Sequence, residues 1–353
     1  ILTLTVSMCY LSCKKDTPPE PPTSKDPRTY TWTVDTIAAP GSLQTSMRDI
    51  WGSSPTNVYV VGHNERGFGK MFHYDGHSWQ MVRLVTAEGG LIRGPIDLAA
   101  IHGFAPNDIY AVGQWDSVDV FTGRMFHYSL IIHFDGHNWR EIPSARGGIL
   151  QAVGGAATSD LWAGGGFGPS LYHIRNQQTV LIGNDTLLLY IDFAGINPSN
   201  VIALAYKFSP LYDSTYHYSF HWDGNSWRLE DTFIETYGGP PHTFGGYSLW
   251  GDKPTGRIYS AGRGVFVKSF TGWEKILDSP SYDLLSIFGS SEQNIFTVGA
   301  GRIVFHYNGS DWKQLTELQS LTSSFYYSGI WTDGVEAFIV GHGAGKSYVL
   351  HGK

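Results

Sequence analysis

The sequence predicts an all-β chain, a seven-bladed β-propeller of four-stranded antiparallel blades, closed by its own first strand. Three observations carry this. A short apolar strand ending near a glycine returns seven times, at DIWG (49–52), AIHG (100–103), AVGG (152–155), DFAG (192–195), SLWG (248–251), SIFG (286–289) and GIWT (329–332). A His-aromatic-Asp-Gly turn followed by Trp recurs as MFHYDGHSW (71–79), IIHFDGHNW (131–139), SFHWDGNSW (219–227) and VFHYNGSDW (304–312). Composition agrees: 43 glycines, 14% aromatic and only 16% charged residues suit strands packed through rings and joined by glycine turns.

The elements follow in order within each copy. The first strand keeps an apolar column at Ile50, Ile101, Val153, Phe193, Leu249, Ile287 and Ile330. Its neighbours, such as Asp49, Ala100, Asp192 and Ser286, are small or polar. That alternation is a strand with one buried face. A polar turn (SSPTN, FAPND, AATSD, INPSN, SSEQN) leads to a second strand with a ring at Tyr59, Tyr110, Trp162, Tyr259, Phe296 and Phe338, and Ile202 in the remaining copy. The third strand carries the His-Asp-Gly turn and the fourth begins with Trp. Four strands repeated roughly every 46 residues make one propeller blade. The last copy stops after its third strand, SYVLHGK. The stretch YTWTVDTI, residues 30–37, has the Trp and alternation of a fourth. Docking it there closes the ring and removes the open edges of a linear array.

The pattern IWGSSP-N-VYVVG followed by HYDG-SW resembles a widespread group of bacterial secreted propellers of mostly unassigned function, over residues 30–353. The turn is also an analogue of the Asp-box hairpin of sialidase-like propellers, S-x-D-x-G-x-x-W, one residue shorter and without the leading Ser.

Ahead of the repeats, residues 1–13 read ILTLTVSMCYLSC, an apolar run too short to span a bilayer, followed by KKD. It resembles the signal of a bacterial lipoprotein. The resemblance implies a signal peptide over 1–12 and an acylated N-terminus at Cys13. It also implies an outer-membrane lipoprotein of a Gram-negative cell, surface-exposed if the charged residues after Cys13 act as an export signal. The segment 13–29 is then a lipidated Cys13 and a Pro-rich tether, roughly 45 Å long at about 3 Å per residue. Cys9 and Cys13 are the only cysteines, so the propeller has no disulfide, no thiolate metal site and no thiol nucleophile.

Function classes narrow from there. A net charge of −7 without a basic patch argues against nucleic acid. GAGK at 343–346 lacks P-loop spacing, six of the fourteen histidines recur at blade period rather than in a metal-site pattern, and no cofactor motif is present. His73, His133, His173, His221, His306 and His351 share one register, with Ser269 in the seventh copy. A catalytic constellation is built once, whereas a feature at blade period serves the blade. The expected roles are Asp capping the turn, Gly at positive φ and Trp covering the next sheet.

Binding residues belong on the loops that vary. The first and third connections of each blade share one rim and are short. The second connections and the inter-blade links share the other rim, and include 62–70, 85–96, 113–129, 206–218 and 230–246. Candidates for ligand contact on that face are His63, Arg66, Arg93, Trp115, Asp116, Tyr206, Tyr237, His242, Arg263 and His342. The reading is a non-catalytic binding or scaffold module for a glycan or a protein, as a monomer or within a larger envelope complex, meeting the membrane only through its lipid. The alternative is a glycan hydrolase or lyase at the channel mouth, drawing on Asp116, Asp119, Glu235 and His242.

Overall fold

A computed structural model describes residues 25–144, 147–168, 170–183, 185–236, 239–279 and 281–353. The signal segment, Cys13 and most of the tether lie outside them, as does Tyr237. The chain forms seven four-stranded antiparallel sheets. Blade 1 holds β2 (Ser46–Ser54), β3 (Asn57–His63), β4 (Met71–Tyr74) and β5 (Trp79–Met81). Blade 2 holds β6 (Ile96–Ala105), β7 (Asp108–Val118), β8 (Met125–Phe134) and β9 (Trp139–Glu141). Blade 3 holds β10 (Ile149–Ala157), β11 (Asp160–Gly166), β12 (Leu171–Arg175) and β13 (Gln178–Gly183). Blade 4 holds β14 (Leu189–Asn197), β15 (Asn200–Phe208), β16 (Thr215–Trp222) and β17 (Trp227–Glu235). Blade 5 holds β18 (Ser248–Asp252), β19 (Arg257–Gly262), β20 (Gly264–Ser269) and β21 (Gly272–Asp278). Blade 6 holds β22 (Leu284–Ser291), β23 (Asn294–Gly299), β24 (Val304–Tyr307) and β25 (Trp312–Gln314). Blade 7 combines β26 (Tyr326–Thr332), β27 (Ala337–Gly343) and β28 (Lys346–Gly352) with β1 (Trp32–Ile37).

Ring closure is as the sequence requires: β1 pairs with β28 from Trp32 opposite Gly352 to Ile37 opposite Ser347. Arg28, just ahead of β1, bonds the Asp311 carboxylate at 3.0 and 3.2 Å and the Asp311 carbonyl at 2.6 Å. It therefore latches the entering chain onto blade 6. The chain enters on the short-turn rim, opposite the long loops.

The recurring histidine is a fastener. Its ring stacks on the second-strand aromatic across the register: His73 on Tyr59 at 4.4 Å, His133 on Tyr110 at 4.4 Å, His173 on Trp162 at 3.8 Å and His351 on Phe338 at 4.0 Å. His306 lies tilted against Phe296 at 4.6 Å. The Nε2 atom meets an acceptor at the head of that second strand: Asn57 (2.7 Å), Asp108 (2.8 Å), Asp160 (2.6 Å) and Asn294 (3.0 Å). His351 takes Glu336 instead. His221, opposite Ile202, has no ring to stack on and reaches Glu230 at 3.5 Å. In the turn itself, Asp75 accepts from the amides of His77 and Ser78, both at 2.9 Å, and Gly76 sits at φ +93°. Asp135, Asp223 and Asn308 repeat that cap.

The Trp, however, faces the sheet before it in sequence rather than the next. Trp139 of blade 2 lies edge-on to Tyr59 of blade 1 at 6.0 Å, and Trp227 of blade 4 to Trp162 of blade 3 at 4.8 Å. Parity is the reason. Trp79 is registered with Tyr74, one residue past His73, so it leaves the sheet on the opposite face from Tyr59 and His73. The blade 1–2 and blade 3–4 seams thus set a His–aromatic pair against a Trp–aromatic pair. A second contact explains the IWG glycine. A Cβ on Gly103 would come within 2.5 Å of the Trp51 ring of the preceding blade.

The longest predicted loops are largely strand. Residues 113–129 continue β7 and β8 into a projecting ribbon, and 206–218 do the same for β15 and β16. Only the tips turn: Asp119 caps one through the amides of Phe121 (2.8 Å) and Thr122 (3.0 Å), and Tyr212 at φ +57° turns the other.

Candidate functional site

The seven inner strands β2, β6, β10, β14, β18, β22 and β26 surround a central channel of about 620 Å³. In six of them the register with the second strand slips by one residue at the same place, a β-bulge. The extra residues are Arg48, Ala99, Gln151, Ile191, Leu285 and Ser328. Tyr247, immediately before β18, takes this place in blade 5. All seven line the channel toward its long-loop mouth. The apolar column from Ile50 to Ile330 forms the wall beyond them. Arg48 is the one charged member of this ring, exposed, and it makes no hydrogen bond or ion pair with any other described residue.

Two carboxylates are built into the wall. Asp49 accepts from the amides of Ile50 and of Ile101 in the next blade, both at 2.8 Å. Asp192 accepts from Phe193 (2.8 Å) and, across the blade 4–5 seam, from Leu249 (2.7 Å) and the Ser248 hydroxyl (3.0 Å). Burial pushes Asp49 up to about 6 and Asp192 up to about 7, while the amide bonds oppose the rise. At the short-turn end, burial and then nearby Lys253 bring His102 down to about 4. Lys253 itself donates to the Ala156 carbonyl at 2.8 Å and lies over Phe104.

Around the mouth the predicted residues fall into two groups. On blades 1 and 7, His63 and His342 are half-buried beside Arg48. Both have their pKa lowered, first by desolvation and then by the Arg48 charge, and His342 meets the Tyr326 hydroxyl at 3.0 Å. On blades 4 to 6, Glu235 gathers His217 (3.0 Å), Arg263 (3.2 Å) and His242 (3.8 Å), and Arg263 continues to Asp283 at 3.4 Å. The His217 hydrogen bond leads in holding Glu235 below the usual carboxylate range. His242 is buried and stacks on Phe233 at 4.2 Å. Tyr206 is half-buried, edge-on to Phe208 and tilted toward His217.

The remaining candidates secure their own loops. Arg66 donates twice to the Gly41 carbonyl, at 3.0 and 2.6 Å, while Glu65 binds the amides of Leu43 and Gln44. Trp115 stacks on Tyr128 at 5.2 Å and covers Gly94, leaving no room there for a Cβ. Asp116 binds Gln114 (2.8 Å) and His127 (2.6 Å). Arg93 is exposed and does not line the channel. Sequence reasoning did not single out Asp49 and Asp192 for a role, nor Gln151 and Tyr247. The inner-strand column that carries the carboxylates was visible; the bulge that turns its neighbours inward was not.

Exposed large apolar side chains concentrate on the same rim. Phe121 (96% exposed), Leu211 (82%) and Tyr212 stand at the ribbon tips, with Leu43, Leu91 and Phe167 on other loops. Among the described residues the short-turn rim offers Phe270 alone.

No protein-family model matches the chain, and no curated protein matches it. Solved structures do. One described as YCF48 bound to D1 peptide aligns with a TM-score of 0.55 at 15% identity, over 91% of this chain and 96% of its own. YCF48 from Cyanidioschyzon merolae aligns with a TM-score of 0.54 at 11% identity, over 90% of this chain and 98% of its own. At these identities the likeness is one of fold.

Proposed function

We propose that this protein is a non-catalytic binding or scaffold module that takes a protein partner on its long-loop face, around the channel mouth. The apolar asymmetry carries the reading. One rim raises Phe121, Phe167, Leu211 and Tyr212, on blades 2 to 4, into solvent, and the other does not. Exposed apolar groups gathered on one face of a fold mark a macromolecular interface. A neighbour of the same fold, described as bound to a peptide, sets a precedent. A glycan is the weaker reading. Trp115 and Tyr206, two of the candidate rings on this face, are spent on intramolecular stacking rather than offered flat. The hydrolase or lyase reading gains nothing from Asp116, Asp119 and Glu235. Each accepts local hydrogen bonds, and a general acid needs a raised pKa, which Glu235 and Asp119 lack.

The lipid-anchored envelope location belongs to this proposal. Because β1 is entered from the short-turn rim, a tether ending at an acylated Cys13 leaves on the side away from the ligand face. The mouth then points outward from the membrane. Labelling with a fatty-acid analogue, lost in Cys13→Ala, supports the anchor, and unchanged labelling rejects it. For the ligand, immobilised protein is compared with a Phe121→Asp, Leu211→Asp, Arg48→Gln variant and a Phe270→Asp variant, using envelope extract and a glycan array. A protein retained by wild type and Phe270→Asp but lost by the triple variant supports the reading. Equal retention by all three rejects the face. Glycan binding without protein capture rejects the partner class.

A further inference from the structure

Every blade ends in an outer strand whose far edge presents unpaired N–H and C=O groups, a template for another strand unless brevity or charge blunts it. Six of the seven are blunted. Strands β5, β9 and β25 are three residues long. Strand β17 carries Arg228, Glu230, Asp231 and Glu235, β21 carries Glu274, Lys275 and Asp278, and β1 has Asp35 near its centre. Strand β13 is different: its six residues, QTVLIG, include no charge. Val180, Leu181 and Ile182 stand 54%, 38% and 46% exposed.

This edge is held in place. Asn176 and Gln177, at φ +49° and +63°, make a tight two-residue turn from β12, and the Thr179 hydroxyl donates to the Pro143 carbonyl of blade 2 at 2.7 Å. Alternate residues of an antiparallel strand turn their main-chain groups away from their partner, so β13 offers a fixed row of donors and acceptors from Gln178 to Leu181, up to the β-bulge at Ile182. At its start, exposed Arg175 touches His173 Nε2 at 3.3 Å and pairs with no carboxylate among the described residues.

We infer that the free edge of β13 is a β-augmentation site for an extended partner peptide. The peptide is about six residues long, alternates β-branched and polar residues, runs antiparallel and places an acidic residue at its C-terminal end against Arg175. The main-chain row selects a strand, the missing charges admit apolar side chains, and the lone guanidinium sets direction. This site lies on the outer wall and does not depend on the channel-mouth reading.

The test uses the peptide Ac-TVTVTVD-amide with the full chain, read by calorimetry and by hydrogen exchange. Binding should protect the amides of residues 178–183. It should weaken at least tenfold with Val180→Lys and several-fold with Arg175→Gln, and vanish when alternate peptide amides are N-methylated. Hydrogen exchange on the unaltered protein still decides the matter if Val180→Lys misfolds. No binding up to about 1 mM peptide, or binding that protects other strands, overturns the site. Self-association abolished by Val180→Lys, with no peptide binding, makes the occupant a second copy and overturns the partner-peptide inference.

Discussion

Replacing Asp192 with Ala should change how stability responds to pH, in a direction the structure fixes. In the folded protein burial raises the Asp192 carboxyl from 3.8 to about 7. A group that binds its proton more tightly when folded stabilises the fold fully below its unfolded pKa. That contribution is lost as pH climbs through the folded value. The full difference corresponds to about 4 kcal/mol, and solvent in the adjoining channel trims it toward about 2. In addition, at every pH the alanine leaves the amides of Phe193 and Leu249 without their carboxylate, which costs about 1–3 kcal/mol for each buried donor. The variant should therefore be less stable than wild type at both ends, by a margin about 2 kcal/mol wider near pH 4.5 than near pH 8. Urea unfolding of both proteins across that range, taking the difference at each pH, measures the effect while cancelling other titrations. Parallel curves would refute the reasoning, since they would mean that Asp192 is as well solvated folded as unfolded.

Other substitutions test the fasteners and the ring. His173→Ala strands the buried Asp160 carboxylate and should cost about 3–5 kcal/mol; His221→Ala, whose Glu230 contact is part-exposed, should cost under about 1 kcal/mol. Paired thermal melts check the contrast. Asp223→Ala removes two amide bonds from one exposed turn and should lower stability by about 1 kcal/mol in urea titration, with the fold unchanged by circular dichroism. Deleting residues 25–37 takes away β1 and the Arg28 latch and exposes the edge of β28. The truncated chain should oligomerise or unfold at lower urea, by sedimentation velocity and fluorescence, whereas Arg28→Ala alone should shift the midpoint only slightly.

How far the sequence reaches depends on the kind of feature. The fasteners were readable because each is local and repeated. The Asp-Gly turn needs its carboxylate two and three residues before the amides it caps. The His meets its aromatic at a register that recurs in most copies. The Trp's direction was missed because it depends on parity relative to His73 and on which blade lies on which side. The mouth was legible only as a rim. That His63 and His342 share Arg48, while His242 and Arg263 share Glu235, comes from residues far apart in the chain. Arg66 and Trp115, attractive on paper, are drawn into loop packing with Gly41 and Gly94.

By itself, then, the sequence determined the blade count, the closing strand and the division into short-turn and long-loop rims, because repetition multiplies a weak local signal sevenfold. Only the tertiary structure decided the rest. Bulges turned Arg48 and its five counterparts into the channel, seams buried Asp49 and Asp192 against neighbouring amides, and hairpin geometry left β13 with a bare edge. The physical reason is common to all three. Each depends on what a residue meets across a gap between strands or blades, and that distance is set by packing rather than by sequence separation.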